Sequence, residues 1–446
     1  SDTLRIGCFL VVQKLFRDLQ IEDVLSSIFG DLGLFIEDIV SYMITNESCT
    51  FQYYSNFMRN HPVMDKNMRD DTQISRLLKY NIKEQDINLF LRAWNQMNNT
   101  KECIYVGYDS TNFNTNAYGI ELADYGHPKV DEGLPQYNLA YAVNQKDSTP
   151  LFYELYDGSV IDNTELEIML EEAKEFGHEK LGVLMDRGYI SEKNIKALRT
   201  KGYEYILMMK QNQRICQEII EEYGAAVQSL EGYYIGEHGV YGTTVKKQLY
   251  GQETNIHVYY DDIRASEEKV ALMSRYETWE KEIEKKVAKR IATEGEMKKY
   301  RKVFKLKYDQ NGYLVAYQRN SRYIKEEIRN LGFFFIITSE EMSASKALDI
   351  YRSRDNIEKM FRSLKSGIDF NKARVHTTES LKSKVFVTFI AMIVRNELFQ
   401  KAEELRKKNR KAYTVPGMIS ELENIECTRN SVGKYRRKYA LTAKQN

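Results

Sequence analysis

The sequence predicts an α/β protein whose mixed-sheet core is interrupted by a β-rich insertion and framed by a helical N-terminal domain and a helical C-terminal tail. Three observations point there. Apolar residues recur at three and four over the first hundred positions, and short β-rich runs then give way to strand–helix alternation as far as residue 209. The alternation stops for about 120 residues, and a last apolar run, Leu331–Thr338 (LGFFFIIT), resumes it.

Each element has its own signal. From Leu4 to about Asn98, Ile6, Phe9, Leu10, Val12, Leu15 and Phe16 keep helical spacing, as do Phe35, Ile39, Tyr42 and Met43. Strands are expected at Ile104–Tyr108, Asn138–Val143 and Leu151–Leu155, separated by turn residues such as Gly133-Leu134-Pro135 and Ser148-Thr149-Pro150. A helix over 162–176, a buried strand at Leu181–Met185, a helix from Ser191 to Lys201 with Ser191 as N-cap, and a strand at Tyr205–Met209 come next. Tyr- and Gly-rich 232–242 and the runs Ile256–Tyr260 and Lys302–Lys307 suggest a separate β-rich unit, broken by a charged helix over 266–290. From Ser343 to about Lys408 the pattern is helical again, including Glu379–Leu405. The expected division is therefore 1–100, helical; 101–209, core; 210–330, insertion; 331–405, core; and 406–446, basic tail.

Composition excludes several classes. With 42% hydrophobic residues and only 5 Pro the chain has ample apolar surface to bury, so disorder is excluded. Five cysteines, an odd number with no CxxC pair, argue against a disulfide framework or zinc cluster and for a reducing cytoplasm. The six histidines, His127 and His257 among them, lack ligand spacing. The longest apolar run, Val385–Val394, is about half the ~20 residues a membrane span needs, and Lys384 and Arg395 bracket it, so no membrane is expected. The chain opens at Ser1 without an initiator Met and without a signal-peptide pattern, which leaves room for residues upstream.

A net charge of +1, from 65 Lys+Arg and 64 Asp+Glu, argues at first against a nucleic-acid partner. The balance is uneven along the chain. Residues 351–446 hold 22 basic against 10 acidic residues, a surplus of +12, so the first 350 sum to −11. Lys281–Lys307 is a second basic stretch, with 11 against 4. Solvated helix faces account for most such runs, so charge alone does not decide the matter.

Three carboxylates stand where chemistry would need them. Asp109 comes after the strand Ile104–Tyr108 in YVGYDST, and Asp186 after Leu181–Met185 in GVLMDRGY; strand ends of open α/β sheets line the ligand crevice. An Asx-turn or helix N-cap explains either Asp alone equally well. As a pair they suit a hard divalent cation such as Mg²⁺. The third is Glu358, in YRSRDNIEKMFRSLK. On a continuous helix Tyr351, Arg354, Glu358, Arg362 and Lys365 fall within about 80°, while Ile357, Met360, Phe361, Leu364 and Ile368 take the opposite, core-facing arc. A carboxylate flanked by cations and one aromatic suits a metal ligand with phosphate-binding neighbours.

At this point the chain resembles a known family. Tyr351, Arg354, Glu358 and Lys365 match, at every spacing, the Tyr-Arg-Glu-Lys signature of a group of bacterial insertion-sequence transposases with an Asp-Asp-Glu triad. Tyr108-Asp109-Ser110-Thr111 is similar to the group's first-aspartate motif, Asp186-Arg187-Gly188-Tyr189 with Ser191 and Asn194 to its second, and Thr149-Pro150-Leu151 through Gly158 and Asp162 to the segment between them. The resemblance covers about residues 100–400 and implies an RNase H-like catalytic core. It implies that Asp109, Asp186 and Glu358 hold two Mg²⁺ ions, with Mn²⁺ able to substitute, and that Tyr351, Arg354 and Lys365, with Arg362 beside them, contact DNA. It also implies cleavage at terminal inverted repeats, with the helical region 1–100 a candidate for binding the DNA ends, joining of the 3′-OH ends to target DNA, a homodimer on double-stranded DNA, and a bacterial cytoplasmic, nucleoid-associated location. Two departures stand out: Gly126–Gln136 lacks the group's usual basic residue near Asp131, and Trp279 lies 79 residues before Glu358, which favours a core or surface role over base stacking in a hairpin step.

Two other readings share the carboxylates: an RNase H-like nuclease or resolvase without strand transfer, and a domesticated DNA-binding protein that has lost catalysis. A metabolic enzyme fits least, for there is no Gly-rich phosphate loop, nucleophile elbow or Cys/His pairing.

Overall fold

The longest helix shows how the apolar pattern builds the fold. The computed structural model describes residues 3–99, 104–126, 133–160, 162–178, 181–185, 190–229, 233–289, 295–409, 414–429, 434–442 and 445. The N-terminal region contains β1 (Thr3–Arg5), α1 (Gly7–Asp18), α2 (Ile21–Phe29), α3 (Asp31–Thr45), α4 (Tyr54–Asn60), α5 (Asp71–Asn81) and α6 (Glu84–Asn98). The core continues with β2 (Ile104–Asn114), β3 (Gln136–Asn144), β4 (Pro150–Asp157), α7 (Asp162–Glu175), β5 (Leu181–Met185), α8 (Glu192–Lys201) and β6 (Glu204–Met208). Next come α9 (Arg214–Ser229), β7 (Tyr234–Ile235), β8 (Val240–Leu249), β9 (Gln252–Tyr260), α10 (Asp262–Lys289), β10 (Phe304–Tyr308), β11 (Leu314–Arg319), α11 (Ser321–Asn330) and β12 (Phe333–Thr338). The chain closes with α12 (Ala344–Arg352), α13 (Asp355–Arg362), α14 (Thr378–Asn409), α15 (Val415–Glu423), β13 (Glu426–Arg429) and β14 (Tyr435–Arg437). Two compact units result, Ser1–Tyr205 with Arg352–Asn446, and Ile206–Tyr351.

In the first unit every residue from Val385 to Val394 is buried, so the middle of α14 is apolar all round and packs among α3, α5, α6, α15 and β4. The two cations that bracket this run are buried as well. Lys384 lies over the Phe51 ring at 4.9 Å, and burial pushes its ammonium below the usual lysine range. No helix among the described residues is long and apolar enough to cross a membrane. The N-terminal helices are tied to the sheet by polar side chains: Trp94 donates to the Pro150 carbonyl at 2.8 Å, and Asn95 donates to Leu151 while its Oδ1 meets His178 at 2.7 Å.

The sheet of this unit runs β4-β3-β2-β5, with β2 antiparallel to β3 and parallel to β5, the mixed α/β core expected of an RNase H-like fold. Ser191 caps α8 as its sequence predicts, its Oγ accepting from the Asn194 amide, and Gly202 at φ 72° ends the helix.

The second unit is built on β12. All six of its residues are buried, and it lies between β6 and β9, antiparallel to both; β8 and β7 extend the sheet beyond β9. Here the structure departs from the sequence reading. β8 and β9 do not stand apart from β12, because a strand buried along its whole length needs a ladder partner on each edge. Among the described residues of this unit, β10 and β11 form a separate two-stranded sheet. Three helices share the segment with these strands, and α10, α11 and the hairpin enclose a core of Tyr276, Ile283, Met297, Tyr300, Phe304 and Leu314. Trp279 packs against that core, edge-on to Tyr300 at 5.6 Å, with the Arg275 guanidinium 5.4 Å above its ring, a packing role in line with its distance from Glu358.

Candidate active site on β2 and the Glu358 helix

β2 runs five residues past Asp109, to Asn114, and the register with β3 holds throughout, Asp109 facing Tyr141 and Phe113 facing Tyr137. Asp109 is therefore inside a strand rather than at its end. The sequence ends the strand at Tyr108, but β3 offers an unbroken ladder against Ser110-Thr111-Asn112. The backbone of Asp109 is described; its side chain lies outside the described residues. Asp186, with Arg187, Gly188 and Tyr189, also lies outside them, as does His127. Before Asp186, β5 pairs in parallel with β2, Leu184 against Gly107.

The segment around Glu358 is not one helix. α12 ends at Arg352, Ser353 and Arg354 form a turn, and α13 starts at Asp355, with the Asn356 amide bonded to the Ser353 carbonyl and the Ile357 amide to that of Arg354. After Arg362 the backbone widens into a π-turn, Ser363–Gly367. The expected stripe at 100° per residue thus holds only inside α13, and each interruption turns the next side chain away from the ideal position. The core-facing set fares better: Ile357, Met360, Phe361, Leu364 and Ile368 are all buried, and Phe361 packs edge-on to Tyr141, the residue facing Asp109 on β3.

Two polar pairs form on either side of the break after Arg362. Arg354 Nη2 donates to Glu358 Oε1 at 2.6 Å, an ion pair between a largely buried guanidinium and a half-exposed carboxylate. Lys365, inside the π-turn, donates through Nζ to Thr111 Oγ1 at 2.7 Å and lies 5.3 Å from the centre of the Phe113 ring. Thr111 and Phe113 are two and four residues beyond Asp109, on the same face of β2. Their part in seating Lys365 is consistent with that period-two pattern, but no sequence signal ties them to a lysine more than two hundred positions away. Arg362 is exposed and lines a cavity of about 530 Å³ with Lys359, Asn356, Met392, Arg395 and Phe399. Tyr351 is buried at the end of α12, with 7% of its surface exposed.

Carboxylate oxygens are hard donors and fit a hard divalent cation, and Glu358 keeps its second oxygen clear of the Arg354 bond. Among the described residues no three His, Cys, Asp or Glu side chains converge on one point.

The sequence profile of the family described as "Transposase DDE domain" matches residues 106–394, well over half of the 446. Among solved structures the chain is similar to the piggyBac transposase in a synaptic complex with hairpin DNA, at 8% identity and a TM-score of 0.37, over 83% of this chain. The match takes in 61% of that structure's chain, so this protein spans about three fifths of its length. No curated protein matches the sequence.

Proposed function

Because the chain belongs to the transposase DDE domain family, we propose that it cleaves DNA at the ends of an insertion sequence by metal-dependent hydrolysis and joins the freed 3′-OH to target DNA. The observation that supports this most directly is the bond from Lys365 to Thr111. It joins the segment after the Glu358 helix to the strand of Asp109, so residues from the two ends of the family match meet at one place.

In this reading Asp109, Asp186 and Glu358 hold the metal. The chemistry supplied by two bound Mg²⁺ ions, or by Mn²⁺ in their place, is Lewis acidity at the attacking oxygen and at the leaving 3′ oxygen. The protein's own groups do the rest. Arg354 holds one oxygen of Glu358 and so fixes the direction of the other. Lys365, seated on Thr111, sets a positive charge on the Asp109 face of β2, where a backbone phosphate would lie. Arg362, which is exposed, adds positive charge for the DNA. Two ends must be paired for joining, so the working species is a homodimer on double-stranded DNA.

The test is cleavage of a duplex made from inverted repeats flanking the gene. Glu358→Gln is expected to lower nicking in Mg²⁺ at least about a hundredfold while DNA binding stays within about threefold. Wild-type rates in this variant would refute the triad. A pre-cleaved end that never joins to target DNA would leave a nuclease in place of a transposase.

A further inference from the structure

Glu47 stands where a glycine is usual. After α3 the Ser48 amide bonds to the Met43 carbonyl at 3.2 Å and the Glu47 amide to that of Ile44 at 3.3 Å, a Schellman ending whose left-handed position falls on Glu47 at φ 48°. A side chain held in that conformation is disfavoured, so its partner matters. Glu47 Oε1 accepts from Arg395 Nη2 at 2.6 Å.

Arg395 is only 5% exposed, on α14. Its Nε donates to Ser363 Oγ at 3.0 Å, and its guanidinium lies against Gly367, where an added Cβ would sit 2.6 Å from Nε, 2.7 Å from Nη2 and 2.8 Å from Cζ. Ser363 and Gly367 are the first and last residues of the π-turn, and Lys365 is its middle. One buried guanidinium thus grips both ends of the widened turn. Its Nη1 is buried without a hydrogen bond among the described residues. A buried arginine with an unmet donor is a poor way to gain stability compared with apolar packing, which points to a positional role. The extra residue of a π-turn rotates the side chains beyond it by roughly 100° relative to an α-helix, so the turn decides where the Lys365 ammonium points.

We propose that Arg395, held by Glu47, is a positioning residue that fixes the π-turn and so seats Lys365 on Thr111 for the reaction. This rests on the transposase reading. The N-terminal helical region, through Glu47, then sets the geometry of a catalytic-core side chain.

Three variants disturb the grip from different sides: Arg395→Gln, Glu47→Gly, which removes the carboxylate and relaxes the backbone, and Gly367→Ala, which crowds the guanidinium. Each is expected to lower kcat for nicking the repeat duplex about tenfold or more, with KM within about threefold. In a Lys365→Ala background the same changes are expected to cost less than about threefold, because residues acting through one group are not additive. Losses that multiply in that background would overturn the proposal. Should Arg395→Gln not fold, Glu47→Gly and Gly367→Ala carry the cycle. Hydrogen exchange reads the turn without DNA: amides 363–367 are expected to lose protection in the variants, and unchanged protection would overturn the proposal. A wild-type chain that never nicks the duplex counts against the transposase reading alone, and the exchange measurement still decides the role of Arg395.

Discussion

In the proposed site the charge of Lys365 and its placement are separable. The ammonium can attract a phosphate from anywhere near the surface, but only the bond to Thr111 Oγ1 localises it on the Asp109 face of β2. Thr111→Val removes the acceptor, keeps the volume and leaves the lysine charged. Nicking is expected to slow about three- to tenfold with DNA affinity nearly unchanged, since misplacement costs rate more than binding. An unchanged kcat in single-turnover nicking would show that Thr111 does not place the ammonium. The residue types of this site are all plain in the sequence, and Tyr351, Arg354, Glu358 and Lys365 carry a family spacing. The spacing hides partnership. Lys384 and Arg395 read as the polar flanks of an apolar run, yet both are buried, because Phe51 and Glu47 come from another part of the chain to meet them.

At the scale of elements, apolar runs announced the strands of the core sheet and β12, and Leu181–Met185 falls where expected to the residue, whereas β1, β11, β13 and β14 carried no such signal. The misreadings have a common origin. The polar half of β2 and the joining of β8 and β9 to β12 depend on the neighbours beside a strand, which periodicity along one segment does not report. The helix of Glu358 breaks for a similar reason: the π-turn is gripped from α14 rather than signalled by its own residues. β9 carries a consequence for stability. His257 is fully buried, with Nδ1 on Thr244 of β8 at 2.8 Å and Nε2 on Thr338 of β12 at 3.0 Å, and burial pushes its pKa from 6.5 down to about 4. The folded state keeps this imidazole neutral, so between pH 6.5 and 4 the unfolded chain binds the extra proton. The contribution is whole above pH 6.5 and fades as pH falls toward 4, reaching about 3 kcal/mol over that window. His257→Gln is therefore expected to lose less stability than wild type between about pH 7 and 4.5 in urea titrations. Equal losses would mean that His257 does not titrate with unfolding.

For the whole molecule the question is how a chain with a net charge of +1 would hold DNA. Counterion release depends on local charge, because each phosphate neutralised contributes about −0.9 to the slope of log Kobs against log salt, whatever the distant carboxylates do. The first 350 residues sum to −11, and a surplus of +12 begins with the segment that carries Glu358, so a neutral total conceals a strong field at one end of the chain. Acids farther off than a Debye length of about 8 Å at physiological salt are screened from such a surface, whereas Glu47 and Glu84 pair directly with Arg395 and Lys382 and offset two of its cations. If Arg354, Arg362 and Lys365 each face a phosphate, replacing all three by Gln flattens the slope by about 2 to 3. Glu358→Gln also raises the net charge, but removes no phosphate contact, so its slope stays within about one of wild type. Filter-binding or anisotropy titrations of the repeat duplex from low to moderate salt separate the two cases. A triple variant that keeps the wild-type slope would show that these three cations neutralise no phosphate.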